Sequence, residues 1–144
     1  MPVRAIDHIL IAMPAGRERE ARAFYQDVLG LAEIAKPPQL AARGGCWFRN
    51  GGLTVHLGVD KNFIPARKAH PAFIVDGLND IVEKAGRAGF KVEDEDEPIE
   101  GCDRRQLTHG ELQRRRIVGL TIAGPLGVQR SLRPELELAL RDEA

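Results

Sequence analysis

The feature that most constrains this chain is an internal repeat with a histidine at the same place in each copy. Val3 to Met13, which contains Ile6-Asp7-His8-Ile9-Leu10-Ile11, is rich in branched apolar residues and reads as a buried strand, and it leads into helical spacing from Ala15 to Leu29. His70-Pro71-Ala72-Phe73-Ile74-Val75 leads in the same way into a second helical stripe from Leu78 to Ala88. Gly30 and Gly89 stop the two helices, and short strands follow at Leu31 to Ala35 and Phe90 to Glu93. Strand, helix and short strand recurring in one order predict a duplicated unit, with its two histidines near the junction of the copies.

The first copy continues with two strand candidates, Gly45 to Arg49 and Leu53 to Val59, around Asn50-Gly51-Gly52, a strong hairpin signal. The second copy ought to match them, but its pattern fades. Glu93 to Glu97 is an acidic run and Arg114-Arg115-Arg116 a basic one, both read as solvated surface, and only Ile117 to Ala123 reads clearly as a strand. The sheet is therefore expected to be incomplete or rearranged near the C-terminus.

At 144 residues the chain has the length of one ordinary domain. Its 43% hydrophobic and 29% charged residues are those of a globular chain rather than a disordered one. Lysine plus arginine and aspartate plus glutamate both number 21, a balance that argues against a nucleic-acid partner. No signal-peptide pattern and no bilayer-length apolar run is visible, so no membrane partner is expected and the cytoplasm is the default. Cys46 and Cys102 have neither metal-finger spacing nor the density of a disulfide scaffold, and read as reduced thiols.

Strand alternation sharpens the reading of the histidines, because residues two apart share a face. His8 lies with Ile6 and Leu10, while Asp7, Ile9 and Ile11 point the other way. His56 shares a face with Thr54 and Gly58, leaving Leu53, Val55, Leu57 and Val59 to pack against a helix. His70 shares a face with small Ala72 and with Ile74. Imidazoles in such places are either hydrogen-bonded cavity residues or ligands for zinc, iron, nickel or copper, harder ions needing added carboxylates. His109, between Thr108 and Gly110, reads as a turn residue.

The segments Ile6-Asp7-His8-Ile9, Ala23-Phe24-Tyr25-Gln26-Asp27-Val28-Leu29-Gly30-Leu31 and His70-Pro71-Ala72-Phe73-Ile74-Val75 resemble the vicinal oxygen chelate superfamily, which holds glyoxalases, extradiol dioxygenases, fosfomycin-resistance enzymes and bleomycin-binding proteins. The resemblance covers roughly the first two-thirds of the chain. It implies an α+β fold in which two βαβββ modules form a cupped, barrel-like mixed sheet, here with an atypical C-terminal region. Residues 1–144 would be a single domain, with module one at about 1–60 and module two at about 69–140. By the same likeness His8 and His70 are metal ligands, and His56 occupies a fourth-strand position where some relatives carry an acidic ligand. Relatives commonly complete the site with a C-terminal glutamate. The nearest match, Gly124 to Ser131, puts Ser131 there, so Glu137, or Glu135 beside it, is the substitute.

Two functions follow. As an enzyme of lyase, isomerase, transferase or dioxygenase type, the chain would hold a divalent ion (zinc, nickel, manganese or iron) on His8, His70 and Glu137 and bind adjacent oxygens of a small substrate. His56 would be a general base or a third imidazole ligand. As a metal-free module it would sequester a planar ligand, as bleomycin-resistance relatives do, with Trp47 and Phe48 as stacking surface. A homodimer is expected, because a cupped sheet leaves edges to cover and relatives often pair.

Overall fold

The computed structural model describes residues 2–66, 69–94, 103–109 and 120–124, with side chains described up to Glu93. Two four-stranded mixed sheets carry the architecture. The first has the order β1-β4-β3-β2, built from β1 (Ile9–Met13), β2 (Ala32–Ile34), β3 (Cys46–Asn50) and β4 (Leu53–Val59). The second has the order β5-β8-β7-β6, built from β5 (Ala72–Ile74), β6 (Phe90–Asp94), β7 (Asp103–His109) and β8 (Leu120–Gly124). In each, the first strand pairs parallel to the fourth, and the remaining ladders are antiparallel. The expected duplication is therefore present strand for strand, and the sheets form a curled, unclosed mixed sheet.

Helices separate the first two strands of each unit. In the first unit α1 (Glu18–Arg22) runs without a break into π-helical turns at Ala23–Val28, and Gly30, at φ 74°, ends the segment. A short α2 (Pro38–Ala41) follows β2, and α3 (Leu78–Arg87) is the helix of the second unit. The hairpin signal at Asn50-Gly51-Gly52 is realised as a two-residue turn closing the Asn50–Leu53 pair, with Gly51 at φ 54°. Gly45 has a stricter role. A Cβ there would lie 2.1 Å from the Leu57 carbonyl oxygen, so only glycine lets the chain enter β3 so close to β4.

Alternation sorts the first sheet cleanly. Ile11, Met13, Cys46, Phe48, Val55 and Leu57 are buried against Tyr25 and Val28 of the helical layer and Leu31 just beyond it. In the second unit Phe73 and Phe90 pack with Leu78, Ile81 and Ala85 of α3. The rings of Phe24 and Phe90 meet edge to face at 4.9 Å, which joins the two halves of the core.

The C-terminal half corrects two expectations. β7 and β8 pair with each other and with β6 and β5, so the second unit has its full set of strands rather than an incomplete one. His109, read as a turn residue, is the last residue of β7 and pairs with Phe90. Asp103–His109 is mostly polar, so its strand is set by the ladders on either side and not by apolar alternation. The runs around Glu97 and Arg114, Cys102, Ser131, Glu135 and Glu137 lie outside the described residues.

Candidate functional site

The open face of the first sheet, opposite its helical layer, carries the polar and planar side chains. The pairing Ile34–Trp47–His56–Leu10 runs across all four strands, and Ala32–Arg49–Thr54 forms the neighbouring row. His8 immediately precedes β1, and continuing the β1–β4 register by one residue brings it level with Thr54.

Three of these rings form a column. The indole of Trp47 lies 3.7 Å from the imidazole of His56 with the planes 6° apart, and His56 in turn stacks on His8 at 4.2 Å and 22°. His8 also lies 2.8 Å from Asp7, Nδ1 to Oδ2. Because a carboxylate only accepts, this contact assigns the proton to Nδ1 and leaves Nε2 of a neutral imidazole with a free lone pair. Metal-ligating histidines usually have such a carboxylate behind them.

Strict alternation had turned Asp7 away from His8. It does not apply, because both residues precede the regular strand, and the carboxylate swings onto the neighbouring ring. The adjacent Asp-His pair was a visible signal for this contact, hidden by extending β1 too far toward the N-terminus. For His56 and its neighbours alternation holds: Val55 and Leu57 are buried while His56 is half-buried on the open side.

A cleft of about 320 Å³ opens where the two units meet, and Asp7, His8 and Thr54 face Pro71, Ala72 and Phe73 across it. His70 is exposed and immediately precedes Pro71. His56 is not among the cleft-lining residues and reaches it through the ring of His8. Phe48, offered by the sequence as stacking surface, is fully buried against Tyr25, leaving Trp47 as the stacking residue. Among the described residues no group of three histidines, cysteines or carboxylates is placed to hold an ion.

Charge on this face is uneven. The hydrogen bond from His8, and then its charge, holds the Asp7 carboxyl below the usual carboxylate range. Burial pushes the pKa of His56 down, and the neighbouring His8, Arg49 and Lys36 push it the same way against an opposing pull from Asp7. As the pH falls through about 6.5 the unfolded chain takes this proton first, so the contribution of His56 to stability is level above that pH and declines below it. We expect NMR titration of the ring protons to give His56 a midpoint below 6.5; a midpoint at or above that value would contradict the burial described here. Cys46 is a buried free thiol whose pKa burial raises, which suits a core residue better than a nucleophile.

No family model and no curated protein matches this chain. Solved structures do. A protein from Bacillus anthracis described as of the glyoxalase family aligns at a TM-score of 0.75 with 35% identity, over 86% of this chain and 97% of its own. The fosfomycin resistance protein FosX from Listeria monocytogenes, in a complex with Mn(II) and sulfate, aligns at 0.66 with 14% identity, over 91% and 98% of the two chains. A glyoxalase family protein from Enterococcus faecalis aligns at 0.63 with 14% identity, over 85% and 99%. The last two likenesses are of fold alone.

Proposed function

The chain belongs to the glyoxalase family of the vicinal oxygen chelate superfamily, and from that premise we propose that it is a metal-dependent enzyme acting on a small substrate through two adjacent oxygens. His8 and His70 would hold the ion, with Glu137 as the carboxylate ligand. The observation that carries this reading is the convergence of the two repeat-related segments on one cleft, His8 lining one wall and His70 preceding Pro71 on the other. The Asp7 contact behind His8 suits a metal ligand. The FosX complex with Mn(II) supports a divalent ion, within the set of zinc, nickel, manganese and iron. When bound, such an ion would supply Lewis-acid polarisation of the substrate oxygens.

The stack favours one of the two roles open to His56. Imidazole lone pairs lie in the ring plane, so rings stacked at 4.2 Å aim theirs along nearly parallel planes that do not converge on one ion. His56 is therefore read as the general base, held by Trp47 and His8, and not as a third imidazole ligand. Reaction type is left at lyase, isomerase, transferase or dioxygenase. A second reading, a metal-free module that sequesters a planar ligand, is favoured by the column of planar rings on the open face.

Residues 1–144 are read as one domain, supported by the Phe24–Phe90 contact between the units. We read the protein as a homodimer. β1 and β5 each form one edge of their sheets, and Leu10 and Ile74 upon them are 69% and 80% exposed. Among the described residues no helix is long and apolar enough to cross a membrane. Native mass spectrometry of protein purified without added metal tests the reading in one measurement. The expected species is a dimer with one ion per chain. A monomer would refute the dimer, and a chain that stays empty after incubation with manganese or nickel would refute the metalloenzyme.

A further inference from the structure

The cleft where the two units meet is walled largely by apolar side chains, among them Leu53 of the first unit and Pro71 and Phe73 of the second. Only Asp7, His8 and Thr54 bring polar side chains to its lining. All three belong to the first unit and lie together: continuing the β1–β4 register sets His8 level with Thr54, and Asp7 accepts from His8.

The contacts these groups already make define what each has left to offer. His8 gives its Nδ1 proton to Asp7 and one ring face to His56, so the edge bearing the Nε2 lone pair and the outer face are the parts of the ring open to a ligand. Thr54 Oγ1 accepts from Arg49 Nε at 3.4 Å, and the hydroxyl keeps its own proton to donate. An acceptor and a donor on adjacent strands, with backbones about 4.8 Å apart, suit a group that gives one hydrogen bond and takes another. A hydroxyl does both, whereas a carboxylate only accepts and an ammonium only donates. Asp7 on the same wall disfavours an anion. The volume of about 320 Å³ is at the small end for ligand sites, and the flat surfaces of Pro71 and Phe73 favour a ring over an alkyl chain.

We infer that the cleft binds a small uncharged phenol, whose hydroxyl donates to His8 Nε2 and accepts from Thr54 while its ring lies between the apolar walls. This rests on the second, metal-free reading above and gives the planar ligand a class: one aromatic ring with a free hydroxyl.

The test compares 4-methylphenol with 4-methylanisole, whose ether oxygen still accepts but has no proton to give. In calorimetric titration of the full chain with EDTA present, 4-methylphenol should bind roughly fivefold or more tightly, the size of a neutral hydrogen bond. His8→Ala should bring the two ligands to nearly equal affinity. Thr54→Val, which loses the hydroxyl at nearly constant shape, should weaken 4-methylphenol by about two- to fivefold, and Thr54→Ser should retain the wild-type affinity. The denaturation midpoint of each variant reports that the fold is intact. A wild-type chain that binds the two ligands equally, a preference that survives His8→Ala, or binding of indole alone overturns the phenol and leaves the planar-ligand reading standing. Absence of binding by 4-methylphenol, 4-methylanisole and indole alike overturns both.

Discussion

Phe48→Ala is expected to destabilise the protein by about 3–5 kcal/mol, the range for emptying a buried phenylalanine site. Phe48 is fully buried on β3, stacked on Tyr25 at 5.5 Å, and shares its face with Cys46 of β3 and with Val55 and Leu57 of β4. Tyr25 comes from the π-helical turns, so the missing ring would loosen the contact between sheet and helical layer as well as leave a cavity. Collapse to fill the space is restricted, since Gly45 already brings the backbone of β3 into tight contact with Leu57. Chemical denaturation with the linear extrapolation measures the change, and the melting temperature should drop by roughly 10 °C or more. Ile64→Ala is the control. Ile64 is 80% exposed, and its truncation should cost no more than about 0.5 kcal/mol. Equal effects of the two substitutions would mean that Phe48 is not at the centre of the core.

Much of the fold was legible because its information is local. The apolar spacing of Phe24, Tyr25 and Val28, the stops at Gly30 and Gly89, and the Asn50-Gly51-Gly52 turn each state their own structure in a few residues. Alternation likewise identified Val55 and Leu57 as buried and His56 as open. β7 was not legible, since a sequence such as Asp103–His109 has little apolar alternation and is made a strand by the neighbours that pair with it. Boundaries failed for a related reason. β1 and β5 begin at Ile9 and Ala72, after the histidines and not at them. Pro71 lacks the backbone N–H for a ladder, which fits the late start of β5. At the site, the types and rough location of His8, His56 and His70 could be read from the repeat. Their mutual geometry could not, because the stack of His56 between Trp47 and His8 depends on cross-strand register, a relation no local pattern encodes.

The largest functional effect should come from His8→Ala. His8 is the histidine that combines a place in the cleft, a free ring nitrogen and a carboxylate behind it. Losing an outer-shell partner of a metal ligand costs roughly 10–100-fold in affinity, and losing the ligand itself should exceed that. Asp7→Asn provides the comparison within the same contact, with a loss in the 10–100-fold range because the ligand stays and only its support weakens. His56→Ala is the discriminating variant. If the stack keeps His56 off the ion, this substitution should leave one-to-one binding in place, with at most a modest weakening from the lost contact to His8. Calorimetric titration of the wild-type chain, His8→Ala and His56→Ala with nickel(II) therefore separates the metal ligand from the ring stacked on it. One ion per chain is expected for the wild type and for His56→Ala, and no measurable uptake for His8→Ala. Uptake by His8→Ala at wild-type affinity, or loss of binding in His56→Ala equal to that in His8→Ala, would contradict it.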